Sequence, residues 1–146
     1  PFNFYSIFLI IDYLLKFNMM ENGFSCILIE DEALAIEMLQ DYISRRNDLI
    51  LMGTAKEQSE IQSLLRICSP TIIFLDLVIP YGDKNDFNYS KFPESPIFVI
   101  ISATPISHYN GEIPNGEIHE LLKPISFEDF NKCIDKILKN IKVTNV

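Results

Sequence analysis

Cysteine is scarce and odd in number. Cys26, Cys68 and Cys133 are widely spaced among apolar neighbours, so they supply neither a disulfide framework nor a metal-binding spacing. They read as reduced core thiols, which suits a cytosolic protein. Basic residues are also few: 12 Lys and Arg against 20 Asp and Glu leave a net charge of −8. No basic stripe is present, which argues against a main surface that meets nucleic acid or anionic lipid. Long apolar runs are missing too. The N-terminal PFNFYSIFLIIDYLLKFN is strongly apolar, yet Phe2 to Phe17 falls short of the roughly 20 residues a spanning helix needs and carries Asp12 inside it. It has neither the basic start nor the small-residue cleavage site of a secretory signal. Repeats, low-complexity tracts and internal linkers are absent.

What is present is a chain of 146 residues, 48% hydrophobic, enough for one domain with a sizeable core. Met19 and Met20 stand immediately before ENGFSCILIEDE, and no Met opens the chain. The expected organisation is an apolar extension over residues 1–19 and one domain over 20–146. A docking or membrane-surface helix is the competing reading of the extension.

From residue 25 onward, short β-branched runs alternate with amphipathic segments, the pattern of an α/β fold with a parallel sheet. Strands are expected at Cys26 to Glu30, Ile50 to Ala55, Thr71 to Asp76, Ile97 to Ser102 and Ile118 to Leu122. The first helix is expected on DEALAIEMLQDYISRR, with Leu34, Met38 and Tyr42, and Ala35, Leu39 and Ile43, recurring at helical spacing. A second runs from about Ser59 to Cys68, and Pro70 follows it. The last covers SFEDFNKCIDKILKNI and opens on Ser126 and Asp129, a capping-box-like pair.

In an open α/β sheet, ligands bind beyond the carboxyl ends of the strands, so residues that terminate several strands converge there. The first strand ends in Glu30, Asp31 and Glu32, the third in Asp76, the fourth in Ser102, and the fifth runs into Lys123-Pro124. Each has a bland reading. Asp76 can cap a turn, the acids can enrich a helix N-terminus, Ser102 can be an ordinary strand-end hydroxyl and Lys123 a surface cation. Glu32 keeps its bland reading; the others are favoured as one constellation. His108 and His119, in polar segments, read as solvated.

CILIEDEALA, IIFLDLVIP, FVIISA and LLKP, in that order, resemble the receiver domain of two-component response regulators. The resemblance covers about residues 25 to 141, and EDEALAIEMLQDYI with LLKPIS is most similar to LytTR-type regulators. It implies a doubly wound, flavodoxin-like five-stranded sheet in the order 2-1-3-4-5. It also implies Asp76 as phosphoacceptor, Ser102 and Lys123 as partners of the phosphoryl group, and Mg²⁺ held by Asp31, Asp76 and the Val78 carbonyl, with Glu30 acting through water. Physical chemistry agrees on the cation: like charges about 4 Å apart repel by about 4 kcal/mol at an effective dielectric of about 20. Mg²⁺ takes few protein ligands and keeps waters for a phosphoryl oxygen. The implied function is a cytoplasmic phosphorelay module, an acceptor more than an enzyme, that takes its phosphoryl group from a sensor histidine kinase. An effector domain or downstream protein and a homodimer stay open as partners; nucleic acid is not expected.

Departures from the pattern are plain. Leu77 to Ser95 carries Pro80, Gly82 and Pro93 with no clear apolar period, so the third helix is expected short or irregular. Pro105, Gly111, Pro114 and Gly116 interrupt the fourth. Glu120 stands where receivers usually place an aromatic ring that moves inward on phosphorylation. A buried, unpaired carboxylate costs several kcal/mol, so the expected response is instead an ordering of the segment from Thr104 to Gly116. Two alternatives remain: a pseudo-receiver that binds partners without phosphate, and a hydrolase of the haloacid dehalogenase type. The latter wants a second Asp two residues after the nucleophile, where this chain has Val78.

Overall fold

Strands that are apolar on both faces must be covered on both faces, and the fold follows from that requirement. The computed structural model describes residues 7, 9–11, 23–78, 89, 92 and 96–144. Its strands are β1 (Phe24–Ile29), β2 (Leu49–Ala55), β3 (Ile72–Asp76), β4 (Ile97–Ser102) and β5 (Ile118–Leu122); its α-helices are α1 (Ala33–Ser44), α2 (Gln58–Ile67) and α3 (Phe127–Thr144). All neighbouring strands are parallel, in the order β2-β1-β3-β4-β5, as the resemblance implies.

Alternate residues feed two cores. Cys26, Leu28, Phe74, Val99 and Ile101 pack with Ile36, Leu39 and Ile43 of α1 and with Phe130, Ile134 and Ile137 of α3. Ile27, Ile29, Ile73, Leu75, Phe98 and Ile100 face the other way, toward Ile61 of α2, Leu77 and Phe92. Phe74 and Phe130 stack with ring centroids 5.7 Å apart across the first core. Arg46, just past α1, ties three elements together. Its guanidinium donates to both Asp48 carboxylate oxygens at 2.9 and 2.8 Å, to Asn131 Oδ1 at 2.9 Å and to Asp135 Oδ1 at 2.7 Å.

The start of α3 is closed as the sequence suggests. The Asp129 N–H donates to Ser126 Oγ at 3.0 Å, and the Ser126 hydroxyl donates to Asp129 Oδ2 at 2.7 Å. Three expectations change. Leu34 is 74% exposed, because the buried stripe of α1 runs through Ile36, Leu39 and Ile43. Only Cys26 is a fully buried thiol; Cys68 and Cys133 are free but partly exposed. His119 is not solvated: its side chain is 11% exposed and its Nε2 lies 2.7 Å from Glu117 Oε1. Among the described residues no helix is long and apolar enough to cross a membrane. The expected third helix lies largely outside the described residues. So does the extension over residues 1–19, apart from Ile7, Leu9, Ile10 and Ile11, which are exposed. The expected fourth helix is reduced to one 3₁₀ turn, Ile106–His108.

Candidate phosphoacceptor site

The register of the sheet brings the strand-end residues together. Asp76 closes β3 opposite Ile101 of β4, and Glu30 follows β1 directly, next to β3. The peptide N–H of Lys123 donates to the Ser102 carbonyl at 2.8 Å, which fixes the end of β5 against the end of β4. The Lys123-Pro124 peptide is cis.

Around this edge the polar atoms are nearly all paired. Glu30 has no exposed surface; its Oε1 accepts the N–H groups of Asp31 and Glu32, both at 3.0 Å, and its Oε2 accepts from Lys123 Nζ at 3.1 Å. Asp76 is 4% exposed, and its Oδ2 accepts from the same ammonium at 2.8 Å while Oδ1 accepts the Val78 N–H at 2.9 Å. Carboxylate oxygens of Glu30, Asp31 and Asp76 all lie within 4.8 Å of one another. Asp31 is exposed and makes no ion pair with a described residue. Glu32 stands at the N-cap of α1, exposed, with its carboxylate 3.9 Å from Lys123 Nζ and no side-chain capping bond.

The electrostatics follow from this crowding. Burial pushes the Glu30 carboxyl up from its ordinary value; bonds from the Glu32 amide and Lys123 pull the other way, and the Asp76 charge adds to the rise. For Lys123, burial alone would lower the ammonium, but hydrogen bonds and charge from Asp76 and Glu30 outweigh it and hold the group above its ordinary value. One lysine thus faces three carboxylates, an excess of negative charge that favours a further cation.

Ser102 is buried, and its hydroxyl is turned into its own strand end. It donates to the Thr104 carbonyl at 2.6 Å and accepts the Thr104 N–H at 3.1 Å. The structure therefore gathers Glu30, Asp31, Asp76 and Lys123, with the Val78 amide bonded to Asp76. Ser102 lies one residue beyond the position paired with Asp76. Two contacts have no signal in the sequence: the Thr104 backbone as partner of Ser102, and Glu120, whose Oε1 accepts the Ile106 N–H at 2.7 Å. Both depend on a loop path that no spacing encodes.

A doubly wound parallel sheet with an acidic pocket over its carboxyl edge is the architecture of a receiver domain. No family model matches the chain. It is similar to the sensory transduction protein LytT of Oceanobacillus iheyensis, 28% identical over 124 residues, which covers 82% of this chain and 50% of that protein. It is also similar to the probable C4-dicarboxylate response regulator DctR of Bacillus subtilis, 23% identical over 122 residues, covering 81% and 54% respectively. The chain spans about half the length of the curated relatives it matches. Among solved structures, the response regulatory domain of protein mrkE from Klebsiella pneumoniae matches with a TM-score of 0.60 at 22% identity, over 80% of this chain and 96% of that one. In fold and in sequence the chain is similar to response-regulator receiver domains. These relatives support the likeness to response regulators, and the narrower resemblance to LytTR-type regulators stays an expectation.

Proposed function

We propose that the domain accepts a phosphoryl group on Asp76 in a two-component phosphorelay. The observation that carries the reading is Asp76 itself. An almost fully buried carboxylate closes an apolar strand and is held by one ammonium at 2.8 Å beside two further acids. An Asp76 carboxylate oxygen attacks the phosphorus of a phosphohistidine in line, the P–N bond breaks, and the imidazole leaves with its electron pair. Lys123 passes from Asp76 Oδ2 to a phosphoryl oxygen, and Ser102 donates to another. The donor is a sensor histidine kinase, and the setting is the cytoplasm. Downstream, an effector domain or a separate protein reads the phosphorylated form.

The donor set fits Mg²⁺. Asp31 makes no ion pair with a described residue and can ligate directly together with Asp76 and the Val78 carbonyl. Glu30, with one oxygen taken by two amides and the other by Lys123, suits an outer role through water. When bound, the ion neutralises charge on the transferring oxygens. The domain acts as an acceptor rather than as a classical enzyme. Incubating it with acetyl phosphate and Mg²⁺ should add one phosphoryl group by intact mass, and none in Asp76→Asn. Modification that persists in that variant refutes the assignment, and no modification of the wild type favours a phosphate-independent module.

A further inference from the structure

The start of the connection from β4 to β5 is held at two points. Ser102 Oγ holds Thr104, donating to its carbonyl at 2.6 Å and accepting its N–H at 3.1 Å. Two residues on, the Ile106 N–H donates to Glu120 Oε1 at 2.7 Å. Ile106 opens the 3₁₀ turn, whose internal bonds run from the His108 N–H to the Pro105 carbonyl and from the Tyr109 N–H to the Ile106 carbonyl, both 2.9 Å. The first amides of a helical turn lack partners within it, and Glu120 takes one of them. Ile106 and Tyr109 also pack against the second core. The turn is therefore anchored in this structure, so the ordering expected from the sequence has little left to act on at Ile106.

A serine hydroxyl carries one hydrogen. Ser102 cannot donate it to a phosphoryl oxygen on Asp76 while donating it to the Thr104 carbonyl. Phosphorylation must therefore release one of the two points that hold the turn, leaving Glu120 as the polar anchor next along the chain. Resting on the phosphoacceptor reading, we propose that Glu120 is a latch: its carboxylate, by holding the Ile106 amide, favours the arrangement in which Ser102 is turned away from Asp76. A residue that biases one of two arrangements also biases whatever distinguishes them. Phosphorylation of Asp76 accordingly weakens the hold on Ile106, and loss of that hold eases phosphorylation. Glu120 is a positioning residue here, acting through Ser102 and the turn.

The test is amide exchange at Ile106 in the full chain, read by NMR for wild type, Glu120→Ala and Glu120→Gln, joined to the rate of phosphoryl uptake from acetyl phosphate with Mg²⁺. Without metal or donor, Glu120→Ala should speed Ile106 exchange by about five-fold, the shift that one hydrogen bond of ordinary net strength controls. Glu120→Gln, which keeps an acceptor oxygen, should stay near wild type. Beryllium fluoride with Mg²⁺, a phosphoryl mimic, should raise Ile106 exchange in wild type toward the Glu120→Ala level. Beryllium fluoride with Mg²⁺ should bind Glu120→Ala about five-fold more tightly, the same linkage read from the other side, and uptake should quicken. Unchanged Ile106 exchange in Glu120→Ala overturns the latch, and faster exchange with unchanged beryllium fluoride affinity overturns its coupling to Asp76. Absence of any uptake by wild type is a separate failure, that of the phosphoacceptor reading.

Discussion

Two neighbouring regions of this domain are built on opposite principles. At the carboxyl edge of the sheet, each polar side chain is delivered by the end of a regular strand, and side chains remote in sequence bond to one another: Lys123 reaches Glu30 and Asp76. In the connection from Ser102 to Ile118, where a helix was in question, the chain forms one 3₁₀ turn and is held by side chains bonded to backbone: Ser102 to Thr104 and Glu120 to Ile106. A site made of strand ends inherits its geometry from the sheet. A turn made of local bonds can change when one of those bonds finds a better partner.

That difference sets the sizes of the expected effects. Lys123→Ala removes the cation bonded to two buried carboxylates, and should destabilise the metal-free domain by about 3 kcal/mol in chemical denaturation, with Mg²⁺ restoring part of the loss. An unchanged midpoint would mean that the edge is not an integrated cluster. Next in size, Asp31→Asn should weaken Mg²⁺ binding at least about tenfold in a titration, while Glu30→Gln should weaken it less, because Glu30 is already saturated by two amides and Lys123. Equal losses would contradict the division of roles between the two acids.

A pH series sharpens the same contrast. Burial first of all holds the Glu30 carboxyl above its ordinary value of 4.5. A carboxyl raised in this way favours the folded state when protonated, so its contribution is complete below the unfolded value and is lost as pH rises through the folded one. The stability of the metal-free wild type relative to Glu30→Gln should therefore fall as pH rises above 4.5. A flat or rising difference would place Glu30 in a less enclosed setting. Smallest of all, Glu120→Ala should cost about 1 kcal/mol or less, since it removes one exposed hydrogen bond and no core contact. A loss as large as that of Lys123→Ala would erase the distinction between edge and connection.

The same contrast explains what could be read from the sequence. β4 and β5 stand at the residues expected for them, and the other strands differ at their ends by a residue or two, because β-branched runs bounded by polar residues mark strands locally. Asp76 and Lys123 were legible because an acid or a lysine that closes an apolar strand is conspicuous. Leu34 is exposed although it shares the helical spacing, because two apolar stripes compete on α1 and the packing of Ile36 against the sheet decides between them. The enclosure of His119 is not legible in its polar neighbours: its partner, Glu117, stands just before β5, and its own burial is set by packing rather than by composition. Glu120 stood out only as a departure, and its bond to the Ile106 amide depends on a loop path with no periodicity to reveal it.

If Asp76 is the phosphoacceptor, the position of the phosphoryl group on the chain will show it. After incubation with acetyl phosphate and Mg²⁺, borohydride reduction of the acyl phosphate followed by peptide sequencing in a mass spectrometer reports which carboxyl carried the group. A reduced residue is expected at Asp76 alone, in the peptide that contains PTIIFLDLVIP. Reduction at Asp31, at Glu30 or at any other acid, with Asp76 intact, would contradict that assignment.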